Sequence, residues 1–531
     1  MNRRDLIDTP QKARNMRLSL LLAAAMFVLV VDTSLMNVSI SAVVEDLETT
    51  VSSVQTAIAL EALVSAAFIL ISSKIGDLFG RKRAYVLGLL AYAAGALAMT
   101  VAQSLTAVIV FWAIIGGLGA SLLLPAMQSL IHGNFEGAVQ KKTYALIGAA
   151  AAIAAAVGPL LGGVVTTYLS WRVGFLLEAV VIAVVLLQIG LIKDVPYTGE
   201  RKVDVVGSVL SVLGTGGVVL GILVWQEGGD YVLLLIALGA LALWALARWL
   251  VRRHRDGKVI LLDPDLFRLP NFRAGITGQT LQNITLGGAM IALPIFLQIK
   301  LEYDALETGL SLAPLSLTMF AIAILAGRKS GKRRPAKIIR IGFGLSTLGL
   351  ALIIPIVPEA DSGWYLLVPL AIAGAGLGLL VSQLNNYTLA PIDEERISEA
   401  AGVNSASGSF GLSFGLAVAG GVLLATLSLA FTNMSNASPV IPSSQQEQIA
   451  QTLEDDAQVT SNTQLDALLV DEPPAVQEEV LSINTDATNL ALQVALLVPI
   501  LAGLLGLFDA FRMMRLPDVA GSASVEAAAL G

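Results

Sequence analysis

The sequence predicts an all-α polytopic membrane protein with fourteen transmembrane helices, and three observations carry that expectation. Hydrophobic residues make up 55% of the 531-residue chain and charged residues 14%, a balance that a soluble globule has no means of wrapping in polar surface. The hydrophobic residues gather in long unbroken runs instead of alternating with polar ones, which favours spanning helices over a barrel. Lys and Arg also sort by side: with fourteen crossings and an inside N-terminus, only Arg172 and Lys300 of the 33 basic residues fall outside, as expected when cytoplasmic loops retain positive charge.

A hydrocarbon core about 30 Å thick needs about 20 apolar helical residues per crossing. The first run, 18–39, follows Arg3, Arg4, Lys12, Arg14 and Arg17 and continues through Asp32 to Asn37. It is too long for a cleaved signal segment and is read as a retained helix. Runs 54–73 and 84–102 flank a basic loop, 74–83, and 106–127, 143–168 and 173–193 complete a first set of six. Two more, 204–225 and 231–250, precede the basic stretch 248–273. Then come 274–296 and 309–327, the basic loop 328–340, and 337–357, 364–386, 400–430 and 489–511. The loop 432–488 has ten acidic residues and no basic one. It reads as solvated, with short helices over Gln446–Leu453 and Val476–Leu481, or as a flap over an exit path. The net charge of −7 averages a basic inner face with an acidic outer one and is a poor guide to partners; no nucleic-acid partner is expected of a membrane-embedded chain. The absence of Cys excludes disulfides, thiolate metal sites and thiol catalysis.

Between the second and third runs stands Lys74-Ile75-Gly76-Asp77-Leu78-Phe79-Gly80-Arg81-Lys82-Arg83. It resembles the signature loop between helices 2 and 3 of the major facilitator superfamily, G-x-L-x-D-x-x-G-R-[KR]-x, with Ser73 in place of the leading Gly. The gate motif is thus Gly76, Asp77, Gly80, Arg81, Lys82 and Arg83; glycines permit the turn, and Asp77 can pair with Arg81 or Arg83 or accept from a helix N-terminus. The corresponding loop, Arg328-Lys329-Ser330-Gly331-Lys332-Arg333, lacks an Asp, which places the latch mainly in the first half. In the fifth run, Gly158-Pro159-Leu160-Leu161-Gly162-Gly163 resembles the motif of superfamily exporters, with Gly158, Pro159, Gly162 and Gly163 as its members. In the first run, Asp32-Thr33-Ser34-Leu35-Met36-Asn37-Val38 resembles the D-x-T-x-x-N-V pattern of the fourteen-helix drug:proton antiporters.

The resemblance implies a major facilitator fold, two six-helix bundles around a substrate cavity. The expected organisation is a cytoplasmic N-terminus 1–17, a first bundle 18–193, two inserted helices 204–250, a second bundle 274–511 that includes the acidic loop 432–488, and a cytoplasmic tail 512–531. A repeat is hinted at by Gly117-Leu118-Gly119, which recurs as Gly376-Leu377-Gly378.

A carboxylate within a span costs about 2.5–3.5 kcal/mol on insertion scales and is seldom kept without a use. Asp32 shares this position with Glu61 and Glu178, and at about 1.5 Å of rise per residue all three lie very roughly 10 Å below the outer surface. Neighbouring carboxylates in a low dielectric can exchange a proton against a cationic solute. These antiporters usually carry an Arg in helix 4 where this chain has Ala113, and a Tyr in helix 2 where it has Glu61, so family-standard proton transfer is not assumed. Asn37, Gln279, Gln282 and Gln383 are the polar candidates for a substrate cavity.

The expected function is multidrug efflux, the export of amphipathic or cationic small molecules by proton antiport and alternating access. The resemblance places it in the plasma membrane of a bacterium, with both termini cytoplasmic. It implies a monomer, with protons as the energy source and no cofactor or metal. Export of an endogenous lipid is the alternative. A membrane transferase is remoter, since His132 and His254 sit in predicted cytoplasmic loops with no convincing acidic partner, and no enzyme activity is expected.

Overall fold

The computed structural model describes residues 3–194, 203–226, 229–328, 334–392, 396–440, 462–470 and 473–517. The loop 329–333, the helix expected over Gln446–Leu453 and the side chains of Asp77, His132 and Arg328 lie outside the described residues.

Among the described residues fourteen long helices follow one another. They are α1 (Arg3–Val38), α2 (Val51–Phe79), α3 (Arg81–Met99), α4 (105–134), α5 (Gly137–Tyr168), α6 (Trp171–Leu187), α7 (Val205–Gln226), α8 (Val232–Arg255), α9 (Pro270–Lys300), α10 (Ala305–Arg328), α11 (Pro335–Ile353), α12 (Gly363–Leu389), α13 (Ile397–Ala437) and α14 (Pro474–Met513). Twelve of them, among the described residues, are long and apolar enough to cross a membrane. The two that fall short are α3, with 19 residues and three cations in its first turn, and α6, with 17 residues. Two helices are locally π-helical, α4 over Val108–Gly116 and α9 over Phe296–Lys300.

Helices α13 and α14 outrun the apolar sequences that predict them, so the segment between them is shorter than 432–488 suggests. Residues Val476–Leu481 are not a separate short helix but the opening turns of α14, entered through Pro474 at its first position. A further short helix, Asn462–Leu468, docks on the end of α9, where Thr463 donates through its backbone N–H (3.0 Å) and its hydroxyl (2.6 Å) to Glu302.

The first six helices pack on one another and so do the last six; α2 meets α13, and α5 meets α10. Helices α7 and α8 pair together, with α7 lying against α2 and α13. An internal repeat is visible where glycines let helices touch. A Cβ on Gly88 of α3 would lie 3.0 Å from the Gly119 carbonyl of α4 and would strike Leu123; a Cβ on Gly342 of α11 would lie 3.0 Å from the Gly376 carbonyl of α12 and would strike Leu380. One residue pair earlier, Gly117 abuts the Glu61 carbonyl of α2 and Gly374 abuts the Leu315 carbonyl of α10. The counterpart of Gly117-Leu118-Gly119 is therefore Gly374-Ala375-Gly376, two residues earlier than the sequence echo. Gly378 contacts the Met319 carbonyl instead. The echo misleads because Gly-Leu-Gly repeats in sequence, whereas helix contact fixes the register. In this register Glu61 corresponds to Leu315, so the second half has no equivalent of that carboxylate.

Candidate functional site

Asp32, Glu61 and Glu178 are brought together inside the first six helices. They are electrostatic neighbours of one another and of the Tyr92 hydroxyl, and each is at least nine-tenths buried. Tyr92, from α3, donates its hydroxyl hydrogen to Asp32 Oδ2. Trp112, from the π-helical part of α4, shares its indole N–H between Asp32 Oδ1 (2.9 Å) and Oδ2 (2.8 Å). The Trp112 ring is held edge-on by Phe175 of α6, at 6.1 Å between centroids. Neither oxygen of Glu178 has a hydrogen-bond partner, and among the described residues none of the three carboxylates forms an ion pair. Ala113, at the position where a helix 4 Arg is expected, is wholly buried, and the donor that α4 does offer Asp32 is the indole of the neighbouring Trp112.

A cavity of about 30 Å³ lies between the two sets of six helices. Its lining includes Ser34 and Asn37 of α1, Pro159 of α5, Met290 and Pro294 of α9, and Ser316 of α10. Residues 34 and 37 lie about 200° and about 140° around the helix from residue 32 at 3.6 residues per turn. Thus α1 turns Asp32 toward α3 and α4 and turns Ser34 and Asn37 toward the cavity. The Asn37 amide donates to the Thr33 carbonyl (2.7 Å), while its Oδ1 is buried without a partner. Gln279, Gln282 and Gln383 do not line this cavity. Gln282 and Gln383 are buried, and Gln383 donates to Ser382 Oγ at 3.3 Å.

The basic loop turns at Gly80, whose φ of +105° suits glycine. Asp194 Oδ1 accepts the Lys82 backbone N–H at 3.0 Å, an otherwise orphaned donor at the start of α3. The Lys82 ammonium donates to the Ile192 carbonyl (2.7 Å), Arg14 to the Leu191 carbonyl (3.1 Å), and Asn134 and Lys193 exchange two bonds of 2.9 Å. The segment after α6 thereby ties α1, α3 and α4 together at the Gly80 end of the molecule. Asp194 gave no signal in sequence, because an acid in a loop more than a hundred residues away is unremarkable.

The α5 motif sits at the junction of the two halves. A Cβ on Gly158 or Gly162 would strike Ser34 (2.6 Å) or Val38 (2.7 Å) of α1, and one on Gly163 would lie 2.6 Å from the Ala305 carbonyl at the start of α10. Pro159 lies between these contacts, against the cavity.

His254 does have acidic partners, contrary to the sequence expectation. It closes α8, with Nε2 3.1 Å from Asp265 Oδ2 and Nδ1 3.7 Å from Asp263 Oδ1. Asp263 also pairs with Arg396 at 2.6 Å, and its backbone N–H donates to Glu399 of α13 at 2.7 Å. The turn of Asp263–Arg268 folds back onto α8, a return the sequence does not announce, and the cluster ties α8 to the start of α13.

The family model of the Major Facilitator Superfamily matches residues 22–416. The chain belongs to that superfamily and is a multi-pass membrane transporter of its fold. It is 27% identical over 399 residues to the probable actinorhodin transporter of Streptomyces coelicolor, covering 73% of this chain and 69% of that protein. It is 27% identical to multidrug resistance protein Stp of Mycobacterium tuberculosis, over 76% of this chain and 75% of that one. With quinolone resistance protein NorB of Staphylococcus aureus the identity is 27%, over 72% and 83%. Among solved structures, a bacterial homologue of the human lysosomal transporter Spinster superposes with a TM-score of 0.63 at 11% identity, over 94% of this chain and 98% of that one.

Proposed function

We propose that this protein exports amphipathic or cationic small molecules by proton antiport and alternating access, with fourteen spans and both termini in the cytoplasm. The observation that carries the reading is the double role of α1. One face of it holds Asp32 in a cluster of three carboxylates, and the other lines the cavity between the halves. Proton and cargo then do not compete for one group. A proton arriving at the cluster changes what Asp32 asks of Tyr92 and Trp112, α1 moves against α3 and α4, and the movement reaches Ser34 and Asn37. The similarity to proteins named for drug and antibiotic resistance supports export as the direction. The energy source is the proton gradient, with no cofactor, and the working unit is a monomer in the plasma membrane.

Asp32→Asn and Glu61→Gln should each abolish proton-driven transport in proteoliposomes at normal expression. Wild-type rates in both would refute the carboxylate mechanism. A lipid-like cargo is the second reading, favoured by the largely apolar cavity lining. Dye efflux that collapses with a protonophore supports the first reading, and accumulation of a lipid in the inner leaflet of a deletion strain supports the second.

A further inference from the structure

At the end of the molecule that carries Arg172, α1 stops at Val38, the chain bends at Ser39, and a short helix, Ile40–Asp46, begins. Such a break leaves carbonyls of one helix and N–H groups of the next without partners inside their own helices. A single side chain from the other half of the protein serves both. Gln298 Oε1 accepts the Ser41 backbone N–H (3.0 Å) and the Ser41 hydroxyl (2.6 Å), and Gln298 Nε2 donates to the Val38 carbonyl (3.0 Å). Gln298 is 7% exposed. It is presented by the π-helical end of α9, which follows Pro294, and such local π segments recur at functional sites.

The short helix is anchored independently on its own side. Asp46 accepts from the Trp171 indole (3.1 Å) and pairs with Arg172, whose guanidinium lies 4.5 Å from the Trp171 ring centroid. Nearby bonds across the same junction are those from Leu306 N–H to Thr167 Oγ1 (3.1 Å) and from Ser413 Oγ to the Ala59 carbonyl (2.6 Å).

We infer that Gln298 is the latch that keeps the Arg172 face of the transporter closed, by capping both sides of the α1 break from the opposite half. The inference rests on the alternating-access reading and goes beyond it by naming the contact that must open. When the two halves separate, Val38 and Ser41 lose Gln298 and are hydrated by the water that enters, so the latch can break and reform without leaving buried groups unpaired. All three bonds act only in the closed arrangement, so removing them shifts the population toward the open one.

The chain has no cysteine, so one introduced thiol reports without background. Ser316→Cys places it on the cavity wall, to be labelled by a membrane-impermeant maleimide from the Arg172 side. Gln298→Met, which keeps side-chain length and removes the amide, should raise the labelling rate roughly tenfold; Ser41→Ala, which removes one of the three bonds, should raise it by about half that on a logarithmic scale or less. Labelling of both variants at the parental rate, in membranes where a protonophore or cargo does change that parental rate, overturns the latch. A parental rate that neither cargo nor protonophore changes is a failure of alternating access itself, overturns the latch with it, and is visible before any latch variant is made.

Discussion

Both oxygens of Glu178 are buried without a partner, while Asp32 in the same cluster receives the Tyr92 hydroxyl and the Trp112 indole. An unsatisfied buried polar group costs about 1–3 kcal/mol, and a fold has no structural reason to retain it. Glu178→Met removes both oxygens and keeps the length of the side chain. It should raise the apparent melting temperature in detergent while lowering proton-driven transport severalfold. A variant that melts lower, or transports at the wild-type rate, would make Glu178 an ordinary packing residue. The three carboxylates stand out in sequence because a charge in an apolar run is rare. Their aromatic partners do not: Tyr92 and Trp112 lie in α3 and α4 among residues that read as lipid-facing or core, and only packing brings them to Asp32. Asn37 stands out in sequence for the same reason as Asp32, being polar in an apolar run. Gln279, Gln282 and Gln383 meet that criterion equally, yet the pocket that Asn37 lines does not include them, because polarity in an apolar run carries no direction.

Among the elements that touch both halves, α5 does so through glycines. Gly158 and Gly162 admit α1, and Gly163 admits α10; these contacts differ in kind, since the first two lie within one bundle and the third crosses the junction that the proposed alternating access would open. A side chain at Gly162 should therefore act on stability, and one at Gly163 on the conformational balance. Gly162→Ala should lower the melting temperature with transport reduced only in proportion to folded protein. Gly163→Ala, whose Cβ would press on the Ala305 and Leu306 backbone, should raise maleimide labelling of a cavity thiol from the Arg172 side beyond what its own loss of melting temperature explains. Equal effects of the two on labelling would remove the distinction. The sequence marked α5 through its Gly-Pro-x-x-Gly-Gly pattern but not which glycine faces which helix, because a one-residue step turns the contact by about 100°. The repeat was legible in kind and wrong in register for a related reason. Gly374, Gly376 and Gly378 all fit a small-residue pattern, and only the partner helix separates them.

For the whole molecule, the quantity that fixes the side of every loop is how many helices cross. Helix α3 spans about 28 Å and α6 about 26 Å at about 1.5 Å per residue, against a hydrocarbon core of about 30 Å, and the three cations that open α3 lower its apolarity further. Packing argues that both cross. Gly88 and Tyr92 of α3 lie against α4, and α6 brings Phe175 and Glu178 to the same buried cluster. A helix resting on the membrane surface would lie across the bundle instead of within it. The two arrangements predict opposite sides for the residues that follow each helix. With fourteen crossings, a cysteine at Val101, after α3, reacts with an impermeant maleimide in intact cells. A cysteine at Gly190, after α6, where a Cβ meets nothing within 4 Å, reacts only once the membrane is permeabilised. If α3 did not cross, Val101→Cys would stay protected; if α6 did not, Gly190→Cys would react from outside. Either result would also shift every later loop and undo the charge asymmetry that leaves only Arg172 and Lys300 outside, so two thiols test both the helix count and the orientation of the termini.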